Sequence, residues 1–216
     1  MKLFQILLLI FVLLNMSFAQ TKQTTWKVND LKKIGGNPTT ILGEPKVIKT
    51  EKGKAIEFDG IDDGIFLDTN PIEGFSAFTI EAIFRPQGGE KEQRWFHIEQ
   101  YPAAEKRVLM EIRVVGDEWF LDTFLKSGDD RLPLYAENFK HKIGDWYHVA
   151  LVYDGSEMRH YVDGKLELSG KVNFKPMEKG KTSIGVRQNK VYWFKGSVSK
   201  VKITNKALSP KEFMKL

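Results

Sequence analysis

Cysteine is absent from all 216 residues of the chain. The protein therefore has no disulfide bond, no thiolate nucleophile and no cysteine ligand for zinc or an iron–sulfur cluster. Strand–helix–strand alternation is also missing, which disfavours a nucleotide-binding α/β fold. Neither sign of charge dominates, since Lys+Arg 33 against Asp+Glu 28 leaves +5. The lysines are spread along the chain, which argues against nucleic acid as a partner, and the positive excess favours an acidic polysaccharide or an anionic surface.

A long apolar run occurs only at the start of the sequence. Residues 3–18 are almost wholly apolar and follow the positively charged Lys2. Ser17 and Ala19 are small residues at the positions required for signal cleavage, so the sequence predicts an export signal over residues 1–19. The run is short for a membrane span. We therefore expect a secreted protein, periplasmic or extracellular, with no membrane span after cleavage and one domain over residues 20–216.

The rest of the chain alternates apolar and polar residues in short runs separated by turn residues. These runs include residues 78–84, 108–115, 119–125, 146–153 and 197–204. Their length and spacing predict an all-β protein, built as a two-sheet antiparallel jelly-roll sandwich. We expect one short helix at the C-terminus, where Ser209, Pro210 and Glu212 match a capping box.

Four segments, in this order and spacing, carry a resemblance to a known family. They are Ala55 to Gly60, Phe78 to Arg85, Trp146 to Gly155 with Tyr161 to Gly164, and Ile184-Gly185 with Phe194 to Val198 and Asn205 to Ser209. Together they resemble the laminin-G-like, concanavalin A-like lectin/glucanase family of bacterial secreted proteins. The resemblance implies two antiparallel sheets, one with a concave outer face where family members often hold glycans. The same jelly roll also hosts glycoside hydrolases, polysaccharide lyases and adhesion modules.

Three acidic residues close together in the sequence, Asp59, Asp62 and Asp63, form a candidate site for a structural calcium ion, which prefers carboxylate oxygens. The resemblance implies a further acidic ligand after the last glycine of the fourth segment, but this chain has Ser199 and Lys200 there. A solvated turn, in which aspartate accepts hydrogen bonds from its own backbone, is the alternative. We expect calcium to be absent or weakly held, and we expect no other cofactor.

Polar residues that alternate with the apolar residues of several strands form the candidate glycan site. If the apolar residues point between the sheets, the outward residues include Trp95, His97, Glu99, Glu111, Arg113 and Arg187. Aromatic rings cover the apolar side of a sugar, and carboxylate and guanidinium groups bind paired hydroxyls, a uronate or a sulfate. We predict that these side chains share one outer sheet face and bind a glycan, with an acidic glycan as one option. A merely solvated polar face is the alternative.

Catalysis in the same groove is a second hypothesis, in which the protein is a polysaccharide lyase or a glycoside hydrolase. The carboxylate pattern of retaining glucanases is missing, because Glu118 and Asp122 lack a third partner. His97, Gln188 and Tyr192 have chemistry that suits a lyase but match no lyase motif. No catalytic residue is assigned. A protein-binding adhesion module is the third hypothesis.

Overall fold

The computed structural model describes residues 21–216, so the predicted export signal and its cleavage point lie outside the described residues. Strands dominate this part of the chain and form two large antiparallel sheets and one small hairpin. The predicted all-β sandwich is therefore confirmed. Within residues 21–216, no helix has the length and apolar character that crossing a membrane requires.

The first sheet has the order β16 (Lys165–Lys171), β15 (Glu157–Val162), β14 (Tyr147–Tyr153), β8 (Phe78–Pro86), β18 (Lys195–Thr204), β6 (Gly53–Asp59) and β5 (Lys46–Thr50), and β1 (Gln23–Lys27) also pairs with β18. The second sheet has the order β12 (Asp130–Tyr135), β11 (Glu118–Ser127), β10 (Lys106–Val115), β9 (Glu92–Gln100), β17 (Gly180–Ile184), β7 (Gly64–Leu67) and β4 (Thr40–Leu42), and β13 (His141–Lys142) also pairs with β11. The small hairpin pairs β2 (Lys33–Ile34) with β3 (Asn37–Pro38).

The core lies between the two large sheets and is rich in aromatic side chains. Phe84 on β8 stacks on Trp95 on β9, with ring centroids 4.9 Å apart, and meets Trp119 on β11 edge to face at 5.1 Å. All three rings are fully buried. Burial of one such side chain contributes about 1.5–3 kcal/mol to stability. The aromatic residues therefore join the two sheets at their centre.

A β-bulge in β9 changes which residues of that strand point outward. Met110 on β10 pairs with Phe96, but the next residue, Glu111, pairs with Arg94, so Trp95 is the extra residue between them. A bulge sets two residues of one strand against one of its partner and interrupts the alternation of side chains. As a result, Trp95 and Phe96 both belong to the core, and Arg94 lies beside Glu111.

The C-terminal segment covers part of the outer face of the first sheet. The predicted helix is a single 3-10 turn, Pro210–Glu212. Glu212 accepts hydrogen bonds from the backbone N–H and the hydroxyl of Ser209, at 2.8 Å and 2.9 Å. Phe213 then packs edge to face on Tyr161, with centroids 5.2 Å apart. Since this segment occupies the first sheet, the outer face of the second sheet is the place to look for a binding site.

Candidate functional site

The outer face of the second sheet carries a cluster of charged side chains that are mostly shielded from solvent. We define the ion-pair cluster as Glu92 and Arg94 on β9, Glu111 and Arg113 on β10, and Asp122 on β11. The strand register sets Glu111 between Arg94 and Asp122, and sets Arg113 opposite Glu92. Charged side chains are seldom buried unless they are paired. The pairing within this cluster therefore determines what the face can bind.

Each arginine of the ion-pair cluster contacts two carboxylates. Arg94 donates from Nε to Glu111 Oε1 at 2.6 Å and from Nη1 to Glu92 Oε2 at 2.9 Å. Arg113 lies with both Nε and Nη2 2.7 Å from Asp122 Oδ2, and it also pairs with Glu92. Charge-assisted hydrogen bonds of this kind fix the planes of both guanidinium groups. The cluster is thus a rigid floor on the sheet.

The two carboxyl groups at the centre of the floor belong to Glu111 and Asp122, which lie opposite each other on neighbouring strands. Burial, together with the negative charge of Asp122, raises the pKa of Glu111 to about 7, although Arg94 opposes the shift. Burial also raises the pKa of Asp122, against the opposing effect of Arg113. Asp122 Oδ1 is buried and has no hydrogen-bond partner in the described chain. Near neutral pH Glu111 is therefore partly protonated, and in that form its carboxyl group can donate to Asp122.

Two exposed tyrosines stand over the arginines of this floor. The Arg94 guanidinium lies 3.7 Å from the ring centroid of Tyr192, and that of Arg113 lies 5.6 Å from the ring of Tyr135. Tyr192 is 43 % exposed and Tyr135 is 55 % exposed. Tyr192 also has a φ of 63°, a backbone conformation that non-glycine residues rarely adopt and that is enriched at ligand sites. Cation–π contacts hold both rings in place above the sheet.

A second group of donors surrounds His97 farther along β9. The ring of His97 is fully buried, and its Nδ1 accepts a hydrogen bond from the backbone N–H of Gln188 at 3.0 Å. The ring hydrogen is therefore on Nε2, which lies 3.7 Å from Glu99 Oε2. Burial and the nearby charges of Arg187, Arg107 and Arg94 lower the pKa of His97 well below its ordinary value. The ring is neutral at physiological pH.

The structure brings most of the predicted glycan-binding residues to one face. His97, Glu99, Glu111 and Arg113 lie on the outer face of the second sheet, and Arg187 lies close to them in the loop 185–194. The prediction for Trp95 is wrong. The sequence assigns it to the outer face, whereas the structure buries its side chain completely in the core, because the bulge in β9 breaks the alternation on which that assignment depends.

Sequence reasoning left several members of this site out of the predicted glycan-binding set, among them Arg94, Tyr135 and Asp122. Arg94 is hidden by the same bulge, because simple alternation from Phe96 directs its side chain inward. Tyr135 stands at the end of β12, where a single exposed aromatic residue gives no periodic signal. Asp122 belongs to the site through its register with Glu111, a pairing that the spacing of carboxylates along one strand cannot reveal. For Tyr135, the best available clue was the turn after β11, because that turn fixes the register of β12.

The acidic turn at Asp59, Asp62 and Asp63 brings its carboxylate oxygens within 4.8 Å of one another. Asp63 accepts backbone hydrogen bonds on both oxygens, from Glu44 at 2.6 Å and from Asp59 at 3.0 Å. Burial raises the pKa of Asp63. Burial acts in the same direction on Asp59, but hydrogen bonds from the surrounding backbone outweigh it and lower the pKa of that carboxyl group. These backbone bonds use oxygens that calcium would need, so the residues fit a self-capped turn better than a six- to eight-coordinate calcium site.

The residues opposite this turn also differ from the expected ones. In the sequence, Ser199 and Lys200 occupy the place where the family has an acidic ligand. In the structure, the residue opposite Asp59 is Lys195. Ser199 instead donates its hydroxyl to the carbonyl oxygen of Ile83 at 3.3 Å.

Lys195 and the acidic turn line a cavity of about 820 Å³. A smaller cavity of about 500 Å³ lies beside Arg113 and Tyr135 on the second sheet.

We predict that removing calcium leaves the stability of the protein nearly unchanged. A site occupied at a hundredfold excess over Kd would add about 2.7 kcal/mol, or roughly 5–10 °C in Tm for a domain of this size. Thermal melts with 1 mM calcium chloride and with excess EDTA should instead agree within about 2 °C. A larger fall with EDTA that Asp62→Asn abolishes would show that the acidic turn holds the ion.

A family model described as the concanavalin A-like lectin/glucanases superfamily matches residues 59–213. No curated protein matches the chain significantly. Domain 4 of AbnA, a GH43 extracellular arabinanase from Geobacillus stearothermophilus, was solved in complex with arabinotriose. It has a TM-score of 0.68 at 20 % identity, and the match covers 89 % of this chain and 96 % of that one. The heptameric SAP-like pentraxin from Limulus polyphemus gives 0.55 at 17 % identity, covering 72 % and 77 %.

A third similar structure is the binding domain of botulinum neurotoxin DC in complex with SialylT. Its TM-score is 0.60 at 15 % identity, and the match covers 88 % of this chain. The chain spans about half the length of that toxin domain, 49 %. These likenesses agree in fold with the two sheets described above, and the family model covers more than half of the sequence. The chain belongs to the concanavalin A-like lectin/glucanase superfamily.

Proposed function

We propose that the protein is an exported carbohydrate-binding protein that holds its glycan on the outer face of the second sheet, over the ion-pair cluster. The observation that carries the proposal is the pair of exposed tyrosines, Tyr135 and Tyr192, each held against a guanidinium group above a buried charged floor. A sugar ring can stack on such an aromatic surface. Its hydroxyls can then hydrogen-bond to the carboxylate and guanidinium edges below.

The rigidity of the floor supports binding rather than simple solvation. Arg94 and Arg113 are each held by two carboxylates, and their side chains are only 11 % and 18 % exposed. A solvated sheet face needs no such network, because surface ion pairs contribute little to stability. A binding face gains from it, because side chains that are already fixed lose less conformational entropy when the ligand arrives.

Two contacts favour binding over catalysis. Glycosidases hold their carboxyl groups roughly 5–9.5 Å apart, with the sugar between them, whereas Glu111 and Asp122 are direct neighbours across two strands and each is already bound by an arginine. A lyase needs a base with a free lone pair, but Nδ1 of His97 already accepts the N–H of Gln188. The hydrolase and lyase hypotheses thus lose their best candidate groups on this face.

The similar structures and the sequence support the same proposal. An arabinanase domain of the same fold was solved with arabinotriose, and a toxin domain with SialylT. An export signal over residues 1–19, followed by one domain over residues 20–216, would deliver the protein to the periplasm or the medium, where polysaccharides are found. An arabinose-rich or sialylated glycan therefore belongs in any ligand panel.

We expect Tyr192→Ala and Tyr135→Ala each to weaken glycan binding about tenfold, because each removes a stacking surface. The measurement is isothermal titration of the mature protein with the tightest ligand from a polysaccharide panel. Leu166→Ala is the matched control, since Leu166 is 52 % exposed on β16 of the other sheet. This variant should bind the glycan like the wild type.

The same panel separates the three functional hypotheses. We expect retention on polysaccharide without new reducing ends and without unsaturated-uronate absorbance. Turnover of any polysaccharide would favour the enzyme, and the proposal would then be wrong. Failure to bind every glycan would favour a protein-binding adhesion module instead. If the tyrosine variants and Leu166→Ala bind the glycan with equal affinity, the glycan must bind to another surface of the protein.

A further inference from the structure

A set of buried nitrogen donors without partners gathers at the His97 end of the second sheet. Within residues 21–216, twelve buried side-chain polar atoms have no hydrogen-bond partner, and four of them belong to His97, Arg107, Arg187 and Gln188. The four atoms are Nε2 of His97, Nε of each arginine and Nε2 of Gln188. Each of these nitrogens is a donor, since Nδ1 of His97 is already an acceptor. A buried donor without a hydrogen-bond partner lowers the stability of the protein. Several such donors in one place therefore indicate a ligand whose atoms accept hydrogen bonds and donate none.

The two arginines here differ from those of the ion-pair cluster. Among the described residues, neither Arg107 nor Arg187 has a carboxylate oxygen within 4 Å of its guanidinium nitrogens, whereas Arg94 and Arg113 each have two such partners. Burial, followed by the like charges of Arg107 and Arg94, lowers the pKa of Arg187. The positive charges therefore repel one another and are only partly offset by Glu99 and Glu111. A bound anion would relieve this repulsion.

We propose that His97, Arg107, Arg187 and Gln188 form an oxyanion subsite that binds a carboxylate or sulfate substituent of the glycan. The inference rests on the proposed function and names the substrate class, an anionic polysaccharide. Guanidinium groups present planar pairs of N–H donors that match the two oxygens of a carboxylate or a sulfate. The neutral His97 adds a donor from a fully buried ring. This subsite lies along β9 from Arg94 and Tyr192, so one chain of sugars can contact both.

The test compares polysaccharides that differ only in charge. Pectate and highly methyl-esterified pectin share a backbone, and dextran sulfate and dextran form the second pair. We expect the wild-type protein to bind the charged member of at least one pair ten times or more tightly than the neutral member, in 0.15 M NaCl. A preference in the pectin pair assigns a carboxylate, and a preference in the dextran pair assigns a sulfate.

Variants of the subsite separate specific binding from general attraction of charge. Arg107→Gln and Arg187→Gln should each weaken binding of the charged polymer at least tenfold, because each removes charge-assisted donors. Arg131→Gln is the matched control: it removes the same charge from an exposed position on β12 of the same sheet, and we expect less than a twofold effect. Arg187→Lys keeps the charge but loses the planar fork, so it should also bind weakly. Circular dichroism and thermal melts accompany every variant.

The outcomes distinguish this inference from the proposed function. Equal binding of charged and neutral polymers, or equal losses in Arg187→Gln and Arg131→Gln, would overturn the oxyanion subsite. Glycan binding by the face as a whole would survive that result. If none of the four polymers and no glycan of the wider panel binds, the proposed function and the subsite both fail. Should Arg187→Gln unfold, a folded Arg187→Lys with wild-type affinity for the charged polymer would contradict the subsite.

Discussion

Trp95→Ala should lower the free energy of unfolding by about 3–5 kcal/mol, the usual cost of replacing a buried tryptophan with alanine. The side chain of Trp95 is fully buried and stacks on Phe84 across the two sheets, with centroids 4.9 Å apart. Its removal leaves a cavity at the centre of the core. For a domain of this size the loss amounts to roughly 6–20 °C in Tm.

Urea denaturation of a chain of residues 20–216 measures this effect, and Tyr192→Ala is the control. Tyr192 is 43 % exposed, so its replacement should change stability by less than about 1 kcal/mol. The two variants are expected to behave in opposite ways, since Trp95→Ala loses stability and Tyr192→Ala loses glycan affinity. A stable Trp95→Ala that no longer binds glycan would mean that the indole faces the ligand and that β9 has no bulge at this position.

Glu111→Gln should make the protein more stable than the wild type in alkaline solution. Burial and the charge of Asp122 raise the pKa of Glu111 from an ordinary value of 4.5 to about 7. Above pH 7 the wild-type protein must hold two buried carboxylates side by side. Glutamine keeps an acceptor for the Arg94 Nε–H, which lies 2.6 Å from Glu111 Oε1, and its amide N–H can donate to Asp122 at any pH.

The sign of the pH effect follows from proton binding. Between pH 4.5 and pH 7 the folded wild-type protein binds more protons at Glu111 than the unfolded chain does, so this group's contribution to stability falls as pH rises. We expect Glu111→Gln to gain about 2–3 kcal/mol on the wild type between pH 5 and pH 8.5, at 1.36 kcal/mol per unit of pKa shift. Urea titrations at both values measure this gain.

The comparison uses the difference between variant and wild type because other groups titrate in the opposite direction. Burial lowers the pKa of His160 to about 3, so its contribution to stability is lost as pH falls below about 6.5. That loss is common to both proteins and cancels in the difference. A constant difference between pH 5 and pH 8.5 would contradict the raised pKa of Glu111.

The sequence predicts the fold well because the evidence for it is repeated along the chain. Phe78 to Arg85 and Trp146 to Gly155, for example, each combine strand alternation with a motif of the family, and both contain a strand of the first sheet. An error in any one segment would leave the prediction intact. The C-terminal helix shows the limit of local signals: the capping box is present, but only one 3-10 turn follows it, because three residues before an extended Phe213 cannot sustain an α-helix.

The candidate site is less predictable because it depends on register. Glu111 and Arg113 follow the alternation of a regular strand, β10, and the structure has them on the expected face. On β9 the same reasoning holds for His97 but fails at Trp95, where one extra residue shifts the pattern. A bulge leaves no clear mark in a single sequence, so the sequence gives no sign that Arg94 lies on the outer face of the sheet. Partners on different strands, such as Glu111 and Asp122, require the register itself.

Backbone amide exchange during titration with the tightest-binding oligosaccharide tests the location of the glycan site most directly. We predict that protection rises in β9, β10, β11 and the loop 185–194, which together carry the ion-pair cluster, His97 and Tyr192. Exchange in β5, β6 and β14–β16 of the first sheet should stay unchanged. Protection confined to the turn around Asp59–Asp63, beside the cavity of about 820 Å³, would contradict a glycan site on the second sheet.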